Sequence, residues 1–123
     1  MKIRIKGNSV RIRLSRSETQ QLAETGRIEE STQFVNGSFR YVLMASDAYT
    51  HPDAHLGDNT ITILMPATLT RNWFANDVVG YDHHVALPDG GQLYLLIEKD
   101  FKCIDNGMGE DQTDNYENPS KSC

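Results

Sequence analysis

The sequence holds no aspartate or glutamate before Glu18, although six of its 12 lysines and arginines lie in that stretch. The net charge of -5 therefore hides a basic N-terminal segment followed by an acidic remainder. No apolar run approaches the ~20 residues of a membrane-spanning helix. The first residues alternate Lys2, Ile3, Arg4, Ile5 and Lys6, without the continuous apolar core of a signal peptide, so a cytoplasmic location with no membrane contact is expected. Cysteine is scarce: Cys103 and Cys123 are too few for a disulfide framework and are expected to be free thiols in a reducing compartment. Nucleophile-elbow, phosphate-loop and metalloprotease motifs are all missing, which places an enzyme last among the functional readings.

What the chain does contain fits one domain. At 123 residues it can bury roughly two thirds of its unfolded surface, enough for a single core. Residues 1–104 are expected to form that domain, and residues 105–123 an acidic, flexible tail carrying Asp105, Glu110, Asp111, Asp114 and Glu117. In the tail, Asn115, Tyr116 and Pro119 could dock on the body instead. A sharper expectation has the tail fold back over the basic segment and compete with an anionic partner.

Two strands with alternating apolar and basic residues, 2–6 and 9–14, are joined by a tight bend at Gly7-Asn8. Ser15 and Glu18 have capping-box spacing and open a short helix that Gly26 closes. Strands at 28–34 and 39–45 flank the hairpin signal Asn36-Gly37. The polar segment 46–57 reads as a connector. A strand at 59–65 then leads to Pro66, which can start a helix with Leu69 and Trp73 on its inner face. A second hairpin, 78–87 with 92–101, turns at Pro88-Asp89-Gly90-Gly91.

The order strand, helix, hairpin thus occurs twice. A shift of 51 residues sets Asn8 on Asn59, Ser9 on Thr60, Val10 on Ile61, Ile12 on Ile63, Leu14 on Met65, Leu22 on Trp73 and Ile28 on Val79. Two further residues in the second hairpin set Tyr41 on Tyr94, Val42 on Leu95, Leu43 on Leu96 and Met44 on Ile97. Each unit is too small to close a core alone, so the expected fold is α+β: a small β-barrel-like domain of two repeats, about 8–46 and 59–98, related by a near-twofold rotation.

At Gly7-Asn8-Ser9-Val10-Arg11-Ile12 and at Pro66-Ala67-Thr68-Leu69 the sequence resembles AbrB and MazE type transition regulators and antitoxins. In those proteins two chains each give a strand, a helix and a hairpin to a swapped-hairpin barrel, and the basic N-terminal bend touches DNA. The resemblance implies such a barrel within one chain, with Asn8 and Arg11 as DNA contacts and Lys6 and Arg13 as basic neighbours. In the second copy Thr62 and Leu64 stand where Arg11 and Arg13 would be, and the loop before Val10 is shorter than the family's by two residues. Over its full length, with Glu98-Lys99-Asp100-Phe101-Lys102-Cys103 ending the last strand, the chain is also similar to short bacterial proteins of unknown function.

The residues themselves suggest three functions. First is a DNA-binding regulator or antitoxin-like module using Lys6, Asn8, Arg11 and Arg13, with Lys2 and Arg4 completing a basic strip. Second is a protein-interaction or scaffold domain without nucleic-acid binding, using a strand edge or the tail. Third is a metal-dependent enzyme, for which His51 and His55 are weak ligand candidates, His83, His84 and Cys103 could add donors, and Glu98 and Asp100 share a strand face. No catalytic residue, metal or cofactor is expected, and the protein is expected to be a monomer or a homodimer.

Overall fold

Two four-stranded sheets make up most of the computed structural model, which describes residues 1–101, Asp114 and Tyr116. In chain order the elements are β1 Lys2–Lys6, β2 Ser9–Leu14, α1 Arg16–Thr25, β3 Arg27–Phe34, β4 Gly37–Ser46, β5 Asp53–Gly57, β6 Thr60–Pro66, α2 Ala67–Thr70, a 3-10 turn Trp73–Ala75, β7 Gly80–Ala86 and β8 Gln92–Lys99. One sheet has the order β1-β2-β8-β7 and the other β3-β4-β6-β5. In each, the central pair is parallel, β2 with β8 and β4 with β6, while the outer pairs are antiparallel. The fold is mixed α+β.

Local chemistry explains most element ends. Ser15 accepts from the Glu18 backbone N–H while the Glu18 carboxylate takes the Ser15 N–H, so the capping box closes reciprocally. Gly26, at φ 74°, ends α1 in the left-handed region, where a side chain would be strained. The segment read as a connector contains a strand, β5. Its Asp53, His55 and Gly57 alternate with Ala54 and Leu56, and Asp58 and Asn59, both at positive φ, turn it directly into β6. Such a pair at φ 52° and 57° is a two-residue hairpin turn, a signal masked by the polar composition around it.

The core draws on both sheets, on α1 and on the 3-10 turn. Ile12, Leu14, Leu22, Leu43, Ile63, Met65, Trp73, Leu95 and Ile97 are each at most 1% exposed. Burying an aliphatic side chain of this kind contributes roughly 1.5–3 kcal/mol. The barrel expected from the sequence is not closed. Among the described residues no ladder joins the two sheets, so β1 and β7, and β3 and β5, remain outer strands. The physical reason lies in the helical segments: Leu22 and Trp73 enter the same core as the strand residues and fill space that strand-to-strand closure would otherwise occupy.

The strand register does not fit the expected alignment of the two segments. Ser9 lies opposite Tyr94 and Thr60 opposite Arg40, so a shift of 51 on β2 requires 54 on β4, carrying Tyr41 to Leu95 and Leu43 to Ile97. Three extra residues are accommodated rather than two. The smaller offset puts the buried Leu43 on Leu96, which faces out. On the same overlay of one sheet on the other, Ile28 falls on Tyr81, through the pairs Ile28–Leu43 and Tyr81–Ile97, and not on Val79.

Where β7 crosses β8, Gly80 leaves no room for a side chain: a Cβ there would stand 2.7 Å from the Ile97 carbonyl oxygen and 2.8 Å from the Glu98 Cβ. Gly80→Ala must push β7 off its partner. The expected loss of stability is about 1–3 kcal/mol, the range for overpacking, measured by urea unfolding.

Candidate nucleic-acid interface

Alternation along β1 and β2 sends their basic residues to the outer face of one sheet, and the register places them in rows across it. Lys2, Arg13, Glu98 and Gly80 form one row; Arg4, Arg11, Leu96 and Asp82 the next; Lys6, Ser9, Tyr94 and His84 the third. The matching face of the other sheet carries Asp53, Leu64, Met44 and Arg27 in its first row, then His55, Thr62, Val42 and Glu29. Charge of one sign is therefore concentrated on a single sheet. A hollow of about 260 Å³ lies between Arg4, Lys6, Arg11, Tyr94 and Leu96, and another of about 310 Å³ is walled by Lys2, Arg4, Arg11 and Arg13.

The cations differ in how far they are already compensated. Arg11 Nε and Nη2 lie 2.7 and 2.6 Å from Glu98 Oε1, and Arg13 Nε lies 2.8 Å from the same oxygen, so two guanidiniums share one carboxylate. Lys2 pairs with Asp100 at 3.0 Å. Glu98 and Asp100, a carboxylate pair by sequence spacing, are thus both turned to the basic strip. Arg4 and Lys6 are exposed, and no carboxylate among the described residues lies within ion-pair distance of either.

Of the four residues singled out from the sequence, Lys6, Arg11 and Arg13 share this surface. Asn8 sits at its end with its amide engaged: Nδ2 donates to the Gln92 carbonyl at 2.7 Å, and its own carbonyl accepts the Tyr94 N–H at 3.0 Å. The bend is tied to β8. Tyr94, His84, Leu96 and Asp82 belong to the face although no local sequence signal links them to β2. The Tyr94 and His84 rings are 4.9 Å apart, and the Tyr94 hydroxyl donates to Asp82 at 3.0 Å, which holds the phenol above its ordinary pKa.

The other three histidines, His51, His55 and His83, fall elsewhere. His51 stacks on His83 with centroids 4.6 Å apart and rings 2° from parallel, His83 lying midway along the outer strand β7 and His51 just before the outer strand β5. His55 lies on β5, 3.5 Å from Asp53, and not on a helical turn with His51. A stack points ring faces, not nitrogen lone pairs, at each other. Among the described residues no group of three or more His, Cys, Asp or Glu side chains could hold a metal ion. Cys103 and Cys123 lie outside the described residues, as does the expected flexible tail apart from two residues.

Those two, Asp114 and Tyr116, meet the body at the start of α1. The Asp114 carboxylate accepts from Ser17 Oγ at 2.5 Å and Ser17 N at 3.2 Å, bonds that hold its pKa below the usual value, and its carbonyl accepts the Arg16 N–H. Tyr116 bonds Thr19 Oγ1 at 2.5 Å, and its ring lies 4.6 Å from Lys99 Nζ and 5.3 Å from the Arg16 guanidinium. These two residues dock on the first turn of α1; the remainder of the segment expected to cover the basic strip lies outside the described residues.

Lys99 is 4% exposed, donates to the Asn76 carbonyl at 2.6 Å and lies under Trp73 and Tyr116. Burial pushes its pKa below 10.5, with Asp77 opposing the shift. The unfolded chain therefore binds more protons than the folded one between the lowered value and 10.5, and stability rises with pH there. Tyr41, Tyr81 and Tyr94 are raised above 10.0, chiefly by burial for the first two and by the Asp82 bond for Tyr94, so their contributions fall as pH rises through the folded values. Lys99→Met is expected to leave stability at pH 7 within about 1 kcal/mol, as buried charges often exchange neutrally with apolar groups. It should also remove the alkaline rise; denaturant midpoints of both proteins from pH 7 to 10 measure the difference.

The chain belongs to a family of unknown function (DUF7009), which matches residues 1–120. No match was found among curated proteins or among solved structures.

Proposed function

We propose that this member of a family of unknown function is a binding module without catalysis of its own, and that its partner is an anion, DNA in a regulator or antitoxin-like role, held on the outer face of β1-β2-β8-β7. The observation that carries this reading is the pair Arg4 and Lys6, exposed and, among the described residues, without a carboxylate at ion-pair distance, beside three further cations on a face that the other sheet does not duplicate. A cytoplasmic setting accompanies this reading, and among the described residues no helix is long and apolar enough to cross a membrane.

With it goes an architectural reading: residues 8–46 and 59–98 are two copies of one unit, AbrB-like swapped hairpins within one chain. Exchanging β1, β2, β7 and β8 for β5, β6, β3 and β4, a cyclic shift of four among the eight strands, turns β1-β2-β8-β7 into β5-β6-β4-β3, the second sheet read backwards. Equivalent details recur. Thr19 and Thr70, both buried, each donate to the carbonyl three residues back, and the Tyr94 N–H to Asn8 O bond has its counterpart in Arg40 N–H to Asn59 O. Because Thr62 and Leu64 replace Arg11 and Arg13, binding is one-sided.

A second reading, a protein-interaction domain, draws on exposed apolar residues at hairpin ends: Ile5 at 55%, Phe34 at 55% and Leu56 at 79%. The test is fluorescence anisotropy of a labelled duplex DNA at several salt concentrations. Arg4, Lys6 and the single net charge left by Arg11, Arg13 and Glu98 amount to about three phosphates, so the log-log salt slope should be about -3. Salt-insensitive co-purification of one protein, with no DNA binding, would replace the first reading by the second.

A further inference from the structure

We infer that the ligand of this face is single-stranded nucleic acid, laid across the sheet with bases stacked on Tyr94 and His84. The inference rests on the anion-binding reading and names its substrate class. A duplex is read by a helix or a two-stranded ribbon inserted into a major groove about 12 Å wide. The β1–β2 ribbon is not free to enter one: β2 is paired along its length, Ser9 to Leu14, with β8, and Asn8 fastens the bend to Gln92 and Tyr94. What the molecule presents is a four-stranded face, and its side chains there are those that bind single strands.

Such proteins combine cations that track the backbone with aromatic rings that accept bases of any sequence. Here the third row holds Lys6, Tyr94 and His84 together, and the second places Arg4 and Arg11 beside Leu96. The ring pair at 4.9 Å is steadied by the Tyr94 bond to Asp82, so one edge of the platform is fixed while His84 stands exposed at its rim. A base seated on these rings brings its phosphates toward Lys6 and Arg4. The opposite sheet has no aromatic residue in the equivalent row, which is Gly57, Thr60, Arg40 and Ser31.

The test is anisotropy with a fluorescein-labelled 12-nucleotide oligo(dT) and a 12-base-pair duplex, at one salt concentration. The single strand should bind at least about tenfold tighter than the duplex. Tyr94→Ala should weaken its binding about 5- to 150-fold, the loss of one stacked base, and His84→Ala severalfold, whereas Tyr94→Phe, which keeps the ring, should bind within about twofold of wild type. His84 is exposed, so its variant remains informative if Tyr94→Ala fails to fold. Equal or tighter duplex binding, or single-strand binding indifferent to both rings, overturns the inference and leaves the anion-binding reading standing. No binding of either probe at low salt overturns both.

Discussion

Trp73→Ala is expected to lower the unfolding free energy by about 3–5 kcal/mol, the largest stability loss of any single substitution considered for this chain. Trp73 is fully buried between the two sheets' residues, packs on Tyr81 with ring centroids 5.4 Å apart, and donates from Nε1 to the Val78 carbonyl at 2.8 Å. Alanine would remove the packing, open a cavity and leave that carbonyl without its donor. Since Lys99 Nζ faces the same ring, 5.9 Å from its centroid, its surroundings would loosen too. Trp73→Phe, which fills most of the volume and loses the hydrogen bond, should recover more than half of the loss. Urea midpoints would measure both, and a loss under about 1 kcal/mol for alanine would show that the 3-10 turn is not part of the core.

Glu98→Gln should move stability and ligand affinity in opposite directions. Glu98 Oε1 holds both Arg11 and Arg13, and its side chain is 13% exposed, so neutralising it leaves two guanidiniums facing each other across a weakened acceptor. Because the arginines are themselves 34% and 42% exposed, solvent screens much of the change, and the expected destabilisation is about 1–2 kcal/mol. Binding should strengthen nonetheless. One more net positive charge on the face steepens the log-log salt slope by about 0.9 for duplex DNA, or about 0.7 for a single strand. A variant that lost stability and affinity together would mean that Glu98 organises the site, not that it competes with the ligand.

Much of the fold is legible in short-range signals. The capping box at Ser15, the Gly26 stop and the β3–β4 hairpin, whose turn is Val35-Asn36, one residue before the expected Asn36-Gly37, each depend on residues within a few positions, and the inward alternation of Val10, Ile12 and Leu14 follows directly from period two. The β5 strand was hidden because an outer strand with polar residues reads like a loop, its turn pair Asp58-Asn59 being the available clue. The pairing of β2 with β8 joins residues more than eighty positions apart, and nothing local encodes it. For the same reason the basic strip is legible in the sequence, while its partners are not: Glu98 as the counter-ion of two arginines, Gln92 as the acceptor of Asn8, and Tyr94 with His84 as an aromatic neighbour. Burial of Lys99 depends on Tyr116 and Trp73 arriving from two other parts of the chain.

The most direct test of the account compares equal charge removal on the two sheets. Arg4→Ala with Lys6→Ala strips the proposed face; Arg27→Ala with Arg40→Ala removes the same charge from the outer face of the other sheet. Nucleic-acid affinity, measured across a salt series, should fall and its slope flatten by roughly two phosphates for the first pair, and change little for the second. Equal losses from both pairs would mean that net charge alone attracts the ligand, and the assignment of a site to the β1-β2-β8-β7 face would be wrong.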